Sequence, residues 1–176
     1  MISAIVGMCE DYGIGYNNHL LYKIPKDMQR FKELTINKAV IMGRKTWESL
    51  PIKPLKGRFN VIITSRPKEF EIPKGYEDYV MACTLDDIKN VLSLTQKEYV
   101  VIGGGMIYKE LLPYVDTLYV TWIHKETSVA DTFFPKFLEE DKENWEFVCG
   151  DRQWQYWNNL PYKFECYKRP IDFYKK

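Results

Sequence analysis

The chain has 176 residues, of which 45% are apolar and 28% are charged, and these globular averages exclude a disordered or fibrous protein. Its length predicts one domain rather than two. The formal net charge is only +1, which removes the usual electrostatic argument for binding nucleic acid or a membrane surface. No apolar run reaches the ~18 residues of a membrane-spanning helix, and no basic signal segment precedes the first apolar run. We therefore expect an untargeted cytoplasmic protein, monomeric by default.

Four cysteines are scattered along the chain without the spacing of a metal site: Cys9, Cys83, Cys149 and Cys166. Only His19 and His124 could join them as imidazole ligands, so the sequence predicts no metal site. Four reduced thiols are typical of a cytoplasmic protein, because the cytosol keeps cysteines reduced.

Apolar runs of strand length recur between turn signals and helical patterns. They cover residues 2–8, 39–43, 60–64, 78–82, 99–103 and 117–123. Several of these runs are apolar on both faces, which is typical of parallel strands that helices cover. The last third of the chain is different, since residues 145–151 and 162–168 alternate or mix polarity and predict an antiparallel hairpin at the edge of the sheet.

Four helices are predicted between the strands. The first helix begins at Pro25, and the other three cover residues 44–50, 85–94 and 105–113. Thr84 can cap the third helix, in which Ile88, Val91 and Leu92 form an apolar stripe. The order of elements predicts an α/β domain over residues 1–169 with a mainly parallel sheet and right-handed crossovers. Residues 170–176 are predicted to be a flexible tail.

The strongest local signal is a buried strand that runs into Gly103, Gly104 and Gly105 and then into a helix. Backbone N–H groups that no side chain screens can cradle a phosphate in such a turn. The segment matches neither the G-x-G-x-x-G pattern nor the P-loop pattern. A strained strand-to-helix turn that needs glycine explains the same residues, so both interpretations stay open here.

Two more predicted strands end in residues that suit an anion. One strand is followed by Arg44, Lys45 and Thr46 at a helix start, and the next runs into Ser65 and Arg66. A solvated, charged turn is the alternative for each segment. Because the carboxyl ends of parallel strands meet at one edge of a sheet, the three segments together predict a dinucleotide there. The arginine beside Ser65 favours a 2′-phosphate, and therefore NADP over NAD.

Asp27 is the carboxylate that stands out, since it shares a helix face with Met28, Phe31 and Leu34. A carboxyl group on a buried face is costly unless it hydrogen-bonds a partner, so this position predicts a cationic or amidine-like ligand. An aspartate that answers the helix dipole is the alternative. Arg58 lies in a turn before a strand, where it could bind a carboxylate or simply be solvated. The sequence has no serine nucleophile elbow and no carboxylate pair of recognisable spacing, so nothing supports a hydrolase.

Ordered motifs recur at consistent spacing along the chain. They are Ile14-Gly15, Ile24-Pro25-Lys26-Asp27-Met28, Phe31-Lys32, Val40 to Leu50, Leu55-Lys56-Gly57-Arg58, Thr64-Ser65-Arg66, Val101 to Tyr108, Leu118 to Thr121 and Ala130 to Pro135. With these motifs the chain resembles the dihydrofolate reductase family from residue 1 to about residue 169. The resemblance implies an α/β fold with an eight-stranded, mostly parallel sheet, an antiparallel C-terminal hairpin and four flanking helices.

The same resemblance implies NADPH-dependent reduction of 7,8-dihydrofolate to 5,6,7,8-tetrahydrofolate in one-carbon metabolism and thymidylate synthesis. Antifolates such as methotrexate or trimethoprim are then expected inhibitors. Asp27 is implied to be the only ionisable group in the pterin pocket, where it holds the 2-amino group and N3 and helps N5 acquire a proton through water. Thr121 and Tyr22 are implied to assist it as catalytic residues.

The resemblance also implies the remaining contacts, residue by residue. The other substrate contacts are Ile5, Met28, Phe31, Lys32, Leu50, Leu55, Arg58, Ile102 and Tyr108. The NADPH contacts are Val6, Gly7, Ile14, Gly15, Asn18, Leu20, Gly43, Arg44, Lys45, Thr46, Ser49, Thr64, Ser65, Arg66, Ile102, Gly103, Gly104, Gly105, Met106, Ile107, Tyr108 and Thr132. Arg58 is expected on the glutamate α-carboxylate, and Lys45, Ser65 and Arg66 on the 2′-phosphate. The peptide bond between the first two glycines of the run is cis in this family.

The chain departs from the family pattern at Leu21-Tyr22, where Pro-Trp is usual, and at Ala130, where glycine is frequent. We expect activity with altered protonation or loop behaviour. A pyrimidine-type reductase of riboflavin synthesis, with the same fold and NADPH, is the second candidate, and Asp27 with Arg58 speaks against it. A non-catalytic nucleotide- or folate-binding module is the third, and the retention of the pterin contacts speaks against that.

Overall fold

A computed structural model describes residues 1–126 and 128–175. Its strands are β1 (Ile2–Cys9), β2 (Gly13–Tyr16), β3 (His19–Leu20), β4 (Ala39–Gly43), β5 (Phe59–Ile63), β6 (Val80–Cys83), β7 (Tyr99–Gly103), β8 (Thr117–Ile123), β9 (Thr132–Phe133), β10 (Glu146–Gly150), β11 (Gln155–Trp157) and β12 (Leu160–Lys168). Its α-helices are α1 (Pro25–Thr35), α2 (Arg44–Ser49), α3 (Leu85–Leu94), α4 (Gly105–Leu111) and α5 (Phe137–Glu140). The predicted α/β fold is confirmed, whereas β2, β3, β9, β11 and the one-turn α5 lay outside the sequence prediction.

The predicted strands form one sheet in the order β10-β12-β8-β1-β7-β4-β5-β6, and the short β11 pairs with β12 outside this path. Pairing is parallel from β8 across to β6. It is antiparallel where β12 meets β8 and β10, as the hairpin prediction required. A second, three-stranded sheet has the order β3-β2-β9. The carboxyl ends of β4, β5 and β7 consequently meet at one edge of the main sheet.

The central parallel strands are buried on both faces, because neighbouring residues of one strand belong to different apolar clusters. Val40 of β4 and Val100 of β7 pack in a cluster with Trp47, whereas the adjacent Ile41 and Val101 pack in a second cluster on the other side. This arrangement explains the apolar runs without alternation that the sequence shows. The sheet therefore holds the strand ends on a rigid support.

Helix α3 shows how local chemistry sets an element. The Thr84 side chain accepts a hydrogen bond from the backbone N–H of Asp87, and the backbone N–H of Thr84 donates to the Asp87 carboxylate, which forms a capping box. Ile88 and Leu92 are buried as predicted, but Val91 is 43% exposed, so its predicted place in the apolar stripe is wrong. The pair Ile88 and Leu92, one turn apart, anchors this helix, and most of its other residues are exposed.

Helix α1 begins with Pro25 at a position where its missing N–H costs nothing. Its predicted apolar face is only partly buried, because Phe31 and Leu34 are half-buried and Met28 is 50% exposed. The prediction that Met28 lies on a buried face is therefore wrong for the protein alone. The one fully buried residue of the helix is Thr35, whose hydroxyl donates to the Phe31 carbonyl oxygen at 2.7 Å.

Arg169 fixes the end of the sheet from a buried position, where it is only 9% exposed. Its guanidinium donates to the Leu112 carbonyl oxygen at 3.0 Å and pairs with the Asp141 carboxylate at 2.9 Å. It also lies 3.8 Å from the centre of the Trp145 ring and 4.1 Å from that of Phe173. Phe173 belongs to a 3-10 turn in the tail, so the tail contacts the domain through this residue. No helix in the described part of the chain is both long enough and apolar enough to cross a membrane.

Candidate active site

A cavity of about 560 Å³ opens at the sheet edge where β4, β5 and β7 end. It is lined by Val6, Gly7, Ile14, Gly15, Asn18, His19, Leu20, Gly43, Arg44, Lys45, Thr46, Ser49, Ile63, Thr64, Ser65, Ile102, Gly103, Gly104, Gly105, Met106, Ile107, Tyr108 and Thr132. Every residue proposed for the cofactor lies on this lining except Arg66. His19 and Ile63 line it as well, although no sequence pattern predicted them there.

Arg66 lines a neighbouring cavity of about 480 Å³ instead, together with Arg44, Thr64 and Ser65. Arg44, Thr64 and Ser65 line both cavities, so the two cavities share one wall. The Arg66 guanidinium pairs with the Glu69 carboxylate at 3.5 Å on the surface. The cationic residues therefore stand at the outer end of the main cavity, away from β1.

Two strand-to-helix turns meet across the main cavity, and both need glycine because the chains approach closely. A Cβ atom on Gly43 would lie 3.1 Å from Cγ1 of Ile107, and one on Gly104 would lie 3.3 Å from the Thr46 hydroxyl oxygen. A Cβ atom on Gly105 would lie only 2.7 Å from a Thr132 methyl carbon. Gly103 adopts a φ of 129°, and its peptide bond to Gly104 is cis. The strained-turn and ligand-cradle interpretations of the glycine run are thus compatible.

The first turns of α2 and α4 both border this cavity. In neither helix, as the structure describes it, does a side chain cap the first N–H groups. Such groups are left for water or an anion. Lys45 is exposed beside them, and Arg44 pairs with Glu48 on the next turn of α2.

Asp27 borders the inner end of the cavity. Its Oδ1 atom accepts a hydrogen bond of 2.5 Å from the Thr121 hydroxyl of β8, a residue 94 positions away. A Cβ atom on Gly7, which lines the cavity, would lie 3.4 Å from the Asp27 Oδ2 atom. Burial raises the pKa of Asp27, while the Thr121 hydrogen bond and the charge of Arg30 oppose that rise. The second carboxylate oxygen therefore lies beside Gly7 of the cavity lining, on a group whose pKa burial raises.

Arg30 is a residue of this site that the sequence analysis missed. It lies one turn after Asp27 on α1 and donates to the carbonyl oxygens of Val120 at 3.0 Å and Glu165 at 3.4 Å. Its guanidinium lies 4.5 Å from the centre of the Phe164 ring. Burial lowers the pKa of Arg30, and the Asp27 carboxylate counteracts this effect. The three-residue spacing on one helix was the available signal, because such residues are neighbours on the helix surface.

Tyr108 of α4 is buried, and its hydroxyl donates to the Ile5 carbonyl oxygen at 2.7 Å. Burial and the nearby Asp27 charge both raise the pKa of Tyr108. Two predicted pterin contacts are therefore joined directly. Ile102 and Tyr119 pack at the same cluster as Ile5.

The predicted carboxylate-binding residue, Arg58, is partly buried between α1 and the β5 start. Its guanidinium donates to the Thr35 hydroxyl oxygen at 3.1 Å and to the Lys56 carbonyl oxygen at 2.9 Å. Burial lowers the pKa of Arg58. Among the described residues no carboxylate pairs with it, so the remaining N–H groups of the fork are available to a ligand.

Asn60 holds the segment that carries Arg58, and the sequence analysis missed this residue too. It is fully buried, accepts from the backbone N–H of Leu55 at 2.9 Å, and donates to the carbonyl oxygens of Leu55 and Arg58 at 3.0 Å each. These three bonds close the turn from Leu55 to Asn60. Leu50, Leu55 and Phe31 pack at the cluster of Trp47. The turn and its apolar wall thus form one unit.

Three other predicted residues lie differently. Met28 and Lys32 are exposed on α1. The Tyr22 hydroxyl accepts a hydrogen bond from the Lys125 ammonium at 3.1 Å, and its ring packs at a cluster with Cys9 and Ile24. The structure thus ties Tyr22 to the loop after β8, and its recorded hydrogen bond is with Lys125 rather than with Asp27.

The β2–β3 segment is fastened over the cavity by Asp131, whose carboxylate accepts from the backbone N–H of Asn17 at 3.0 Å. Gly13 packs tightly against Ala130, because a Cβ atom on the glycine would lie 2.7 Å from that of the alanine. Ala130, the departure from the family pattern, is therefore part of this contact. Among the described residues there is no group of three or more His, Cys, Asp or Glu side chains placed to hold a metal ion.

Comparisons with known proteins agree on one family. The sequence profile of dihydrofolate reductase matches residues 1–169. A dihydrofolate reductase of Bacillus subtilis is 38% identical over 169 residues, covering 94% of this chain and 91% of the relative, and one of Buchnera aphidicola from Acyrthosiphon pisum is 41% identical, covering 77% and 80%. The structure of dihydrofolate reductase from Enterococcus faecalis, complexed with NADP(H) and RAB-propyl, superposes with a TM-score of 0.80 at 30% identity over 96% of each chain.

Proposed function

Since this chain belongs to the dihydrofolate reductase family and is an NADP-dependent oxidoreductase that reduces dihydrofolate to tetrahydrofolate, we propose that Asp27 is its acid–base residue. One observation carries this assignment. The free Oδ2 atom of Asp27 lies against Gly7, which lines the cofactor cavity, so the carboxyl group adjoins the place where cofactor and substrate meet. Its raised pKa suits a group that delivers a proton near neutral pH.

The residues at the main cavity fit NADPH, because the glycine turns leave a cradle that a side chain would fill. Gly104, Gly105, Arg44 and Thr46 would hold the pyrophosphate there. When bound, NADPH supplies the hydride for pterin C6. Gly7 and Ile14 would offer backbone groups to the nicotinamide carboxamide at the inner end, beside Asp27. The residues of the chain thus orient two ligands and exclude water between them.

Selection of NADP over NAD rests on the outer end of the site. Lys45, Ser65 and Arg66 lie in or beside the wall that the two cavities share. Two cations and a hydroxyl are suited to a phosphate monoester. The Arg66–Glu69 pair is exposed at 3.5 Å, so exchange of its partner for a phosphate costs little.

In the pterin pocket, Asp27 accepts hydrogen bonds from the 2-amino group and N3 and promotes protonation of N5. Thr121 fixes one carboxylate oxygen, which leaves the other free for the pterin. Arg30 is the opposite charge on the same helix, and it limits how far burial raises the pKa of Asp27. Tyr22 hydrogen-bonds Lys125 and packs against Ile24, the residue that precedes α1, so it would assist Asp27 by positioning this segment.

At the far end of the substrate, Arg58 binds the α-carboxylate of the glutamate, and Asn60 positions the turn that carries it. Two guanidinium bonds to Thr35 and Lys56 hold the side chain without using its whole fork. Phe31, Leu50 and Leu55 form an apolar wall between Asp27 and Arg58. This layout favours a pterin glutamate over the ribosyl substrate of the riboflavin pathway.

We also propose that the enzyme acts as a cytoplasmic monomer with one domain over residues 1–169. The four free thiols support a reducing compartment.

Oxidation of NADPH with dihydrofolate, followed by absorbance, tests the assignment. The variant Asp27→Asn keeps the shape of the side chain and removes its acid, so turnover at neutral pH should fall by about 10²- to 10⁴-fold. Asp86→Asn is the matched control, since Asp86 also lies in the first turn of a helix but lines neither cavity. Unchanged turnover in Asp27→Asn, or an equal loss in both variants, would overturn the role of Asp27. Methotrexate should inhibit the unmutated enzyme.

A further inference from the structure

Two cysteines face each other at the edge of the main sheet. Cys149 of β10 is directly opposite Cys166 of β12 in the antiparallel register. Residues opposite each other on antiparallel strands point to the same face, with Cα atoms about 4.5–5.5 Å apart. A disulfide needs Cα atoms about 4.4–6.8 Å apart, so these two positions satisfy the distance that the bond requires.

A β-bulge creates this pairing. Phe147 is opposite Tyr167, but the register shifts between Phe147 and Cys149, so Val148 has no partner across the strands. Without the extra residue Cys149 would be opposite Glu165, because antiparallel partners move in opposite directions by equal steps. The bulge therefore moves Cys149 to the face that Cys166 occupies.

The two sulfur atoms have unequal surroundings. Cys149 is exposed on the edge strand, whereas Cys166 is 6% exposed. Burial raises the pKa of the Cys166 thiol, and the facing Cys149 raises it further. An exposed thiol with a buried thiol beside it is the arrangement of an attacking and a resolving cysteine.

From this geometry we propose that Cys149 and Cys166 are a redox modification site that closes reversibly to a cross-strand disulfide when the protein meets hydrogen peroxide. The Cys149 thiolate attacks one peroxide oxygen, which breaks the O–O bond, forms a sulfenic acid and releases hydroxide, protonated to water. The Cys166 sulfur then attacks the sulfenic sulfur, loses its proton and displaces a second water. The two thiols give up two electrons and two protons, and one peroxide becomes two waters. A dithiol reductant reverses the reaction by exchange.

The remaining cysteines provide an internal control. Cys9 lies in β1 and Cys83 in β6, and β7, β4 and β5 separate these strands in the sheet. Both are buried, and burial raises the pKa of each thiol to about 11. Neither has a thiol within reach, so neither should form a bond inside the folded protein.

The bond would join the edge strand β10 covalently to β12. All five residues of β10 are exposed, and its pairing is with β12. A disulfide between them closes the loop that contains β11, and such a bond stabilises the folded protein mainly by restricting the unfolded chain. Because neither cysteine lines the cofactor cavity, the reduced enzyme does not need the bond for turnover.

Titration of thiols in the denatured, full-length protein tests the proposal before and after treatment with hydrogen peroxide. Four thiols should fall to two, with the protein still monomeric and lighter by two hydrogens, and a dithiol reductant should restore all four. A peptide map of the unmutated protein should join the peptides of Cys149 and Cys166, which requires no variant. The oxidised form should melt about 5–10 °C higher than the reduced form.

Variants separate this bond from general oxidation. Cys149→Ser should keep its three thiols out of any intramolecular bond and retain the turnover of the reduced enzyme, whereas Cys83→Ser should lose two of its three. Four thiols after treatment, a bond between two chains, linkage of other cysteines, or equal loss in Cys149→Ser and Cys83→Ser would each overturn the proposal. A melting temperature that falls on oxidation would also overturn it, because the strands would then not accommodate the bond.

Discussion

The two ends of the active site are built from different material. At the cofactor end, main-chain turns form the cavity wall, since Gly43, Gly104 and Gly105 allow two strand-to-helix turns to approach within contact distance. At the substrate end, side chains from distant segments of the chain form the site, as in the hydrogen bond between Thr121 and Asp27, which lie 94 residues apart in the sequence. A backbone cradle tolerates little change in shape, whereas a side-chain constellation tolerates little change in charge.

The two ligands therefore depend on different kinds of contact with the protein. A dinucleotide is recognised along its length by repeated small contacts, so many residues share the task. In the proposed site, the pterin glutamate is recognised at two ionic ends, by Asp27 and Arg58, with an apolar wall between them. Charge changes at Asp27 and Arg58 should therefore act mainly on dihydrofolate, and steric changes at the glycine turns mainly on NADPH. Four substitutions test whether the KM for dihydrofolate and the KM for NADPH respond in this way.

The change Arg58→Gln removes the cation at the far end of the substrate. A hydrogen bond to a charged group contributes about 1.5–3 kcal/mol, so the KM for dihydrofolate should rise by about 10- to 100-fold. The KM for NADPH should not change. Steady-state kinetics with each substrate varied will measure both values. Lys56→Gln, an exposed cation two residues away, is the control, and a similar rise there would contradict a specific role for Arg58.

Lys45→Gln crosses the division, because it changes charge at the cofactor end. The KM for NADPH should rise about 10-fold, while the KM for NADH should stay the same, since only NADPH carries the 2′-phosphate. Lys68→Gln, in the turn Pro67–Glu69 but outside both cavity linings, serves for comparison. Equal weakening of NADPH and NADH would refute the assignment of Lys45 to that phosphate.

Gly43→Ala tests the steric half of the contrast. The added Cβ atom would lie 3.1 Å from Cγ1 of Ile107, so the Ile107 side chain, which lines the cavity, must give by a few tenths of an ångström. We expect the KM for NADPH to rise by about 3- to 10-fold, and the KM for dihydrofolate to rise less. Gly75→Ala meets nothing within 4 Å but has a φ of 87°, so it should lower the melting temperature and leave both KM values unchanged. Greater damage to dihydrofolate binding in Gly43→Ala would argue against the division.

Arg30→Leu should have the smallest effect at neutral pH and the clearest pH signature. The positive charge of Arg30 lowers the pKa of Asp27 against the effect of burial, so its removal should raise that pKa. Because the proposed role requires protonated Asp27, the decline of activity with rising pH should move to higher pH. Tyr108 and Tyr162 also face Asp27 and remain in place. Arg30→Lys keeps the charge, so a pH–rate profile equal to that of Arg30→Leu would contradict an electrostatic role.

The sequence predicted the cofactor end better than the substrate end, for a physical reason. The glycine turns follow their strands directly, and the parallel sheet brings the strand ends together, so local patterns sufficed. Arg30 and Asn60 were missed because their roles depend on long-range contacts, such as the bond from Arg30 to the Glu165 carbonyl oxygen across 135 residues. Only folding reveals such partners.

The fold was predictable in its regular parts for a similar reason. Continuous apolar runs marked the buried parallel strands, and Thr84 marked the start of α3, where the structure adds Asp87 as its capping partner. The small sheet of β2, β3 and β9 was missed because two-residue strands such as β3 and β9 carry no periodicity. Val91 was misplaced because the stripe of a half-buried helix is narrower than the spacing rule assumes.

The position of β12 in the sheet affects when the sheet can be completed during synthesis. This strand lies between β8 and β10, yet it comes near the end of the chain, and Arg169 follows it as the buried bracket against Leu112 and Asp141. Until those residues leave the ribosome, β8 is an open edge that exposes its hydrogen-bonding groups. The antiparallel end of the sheet can therefore close only after β12 and Arg169 have been synthesised.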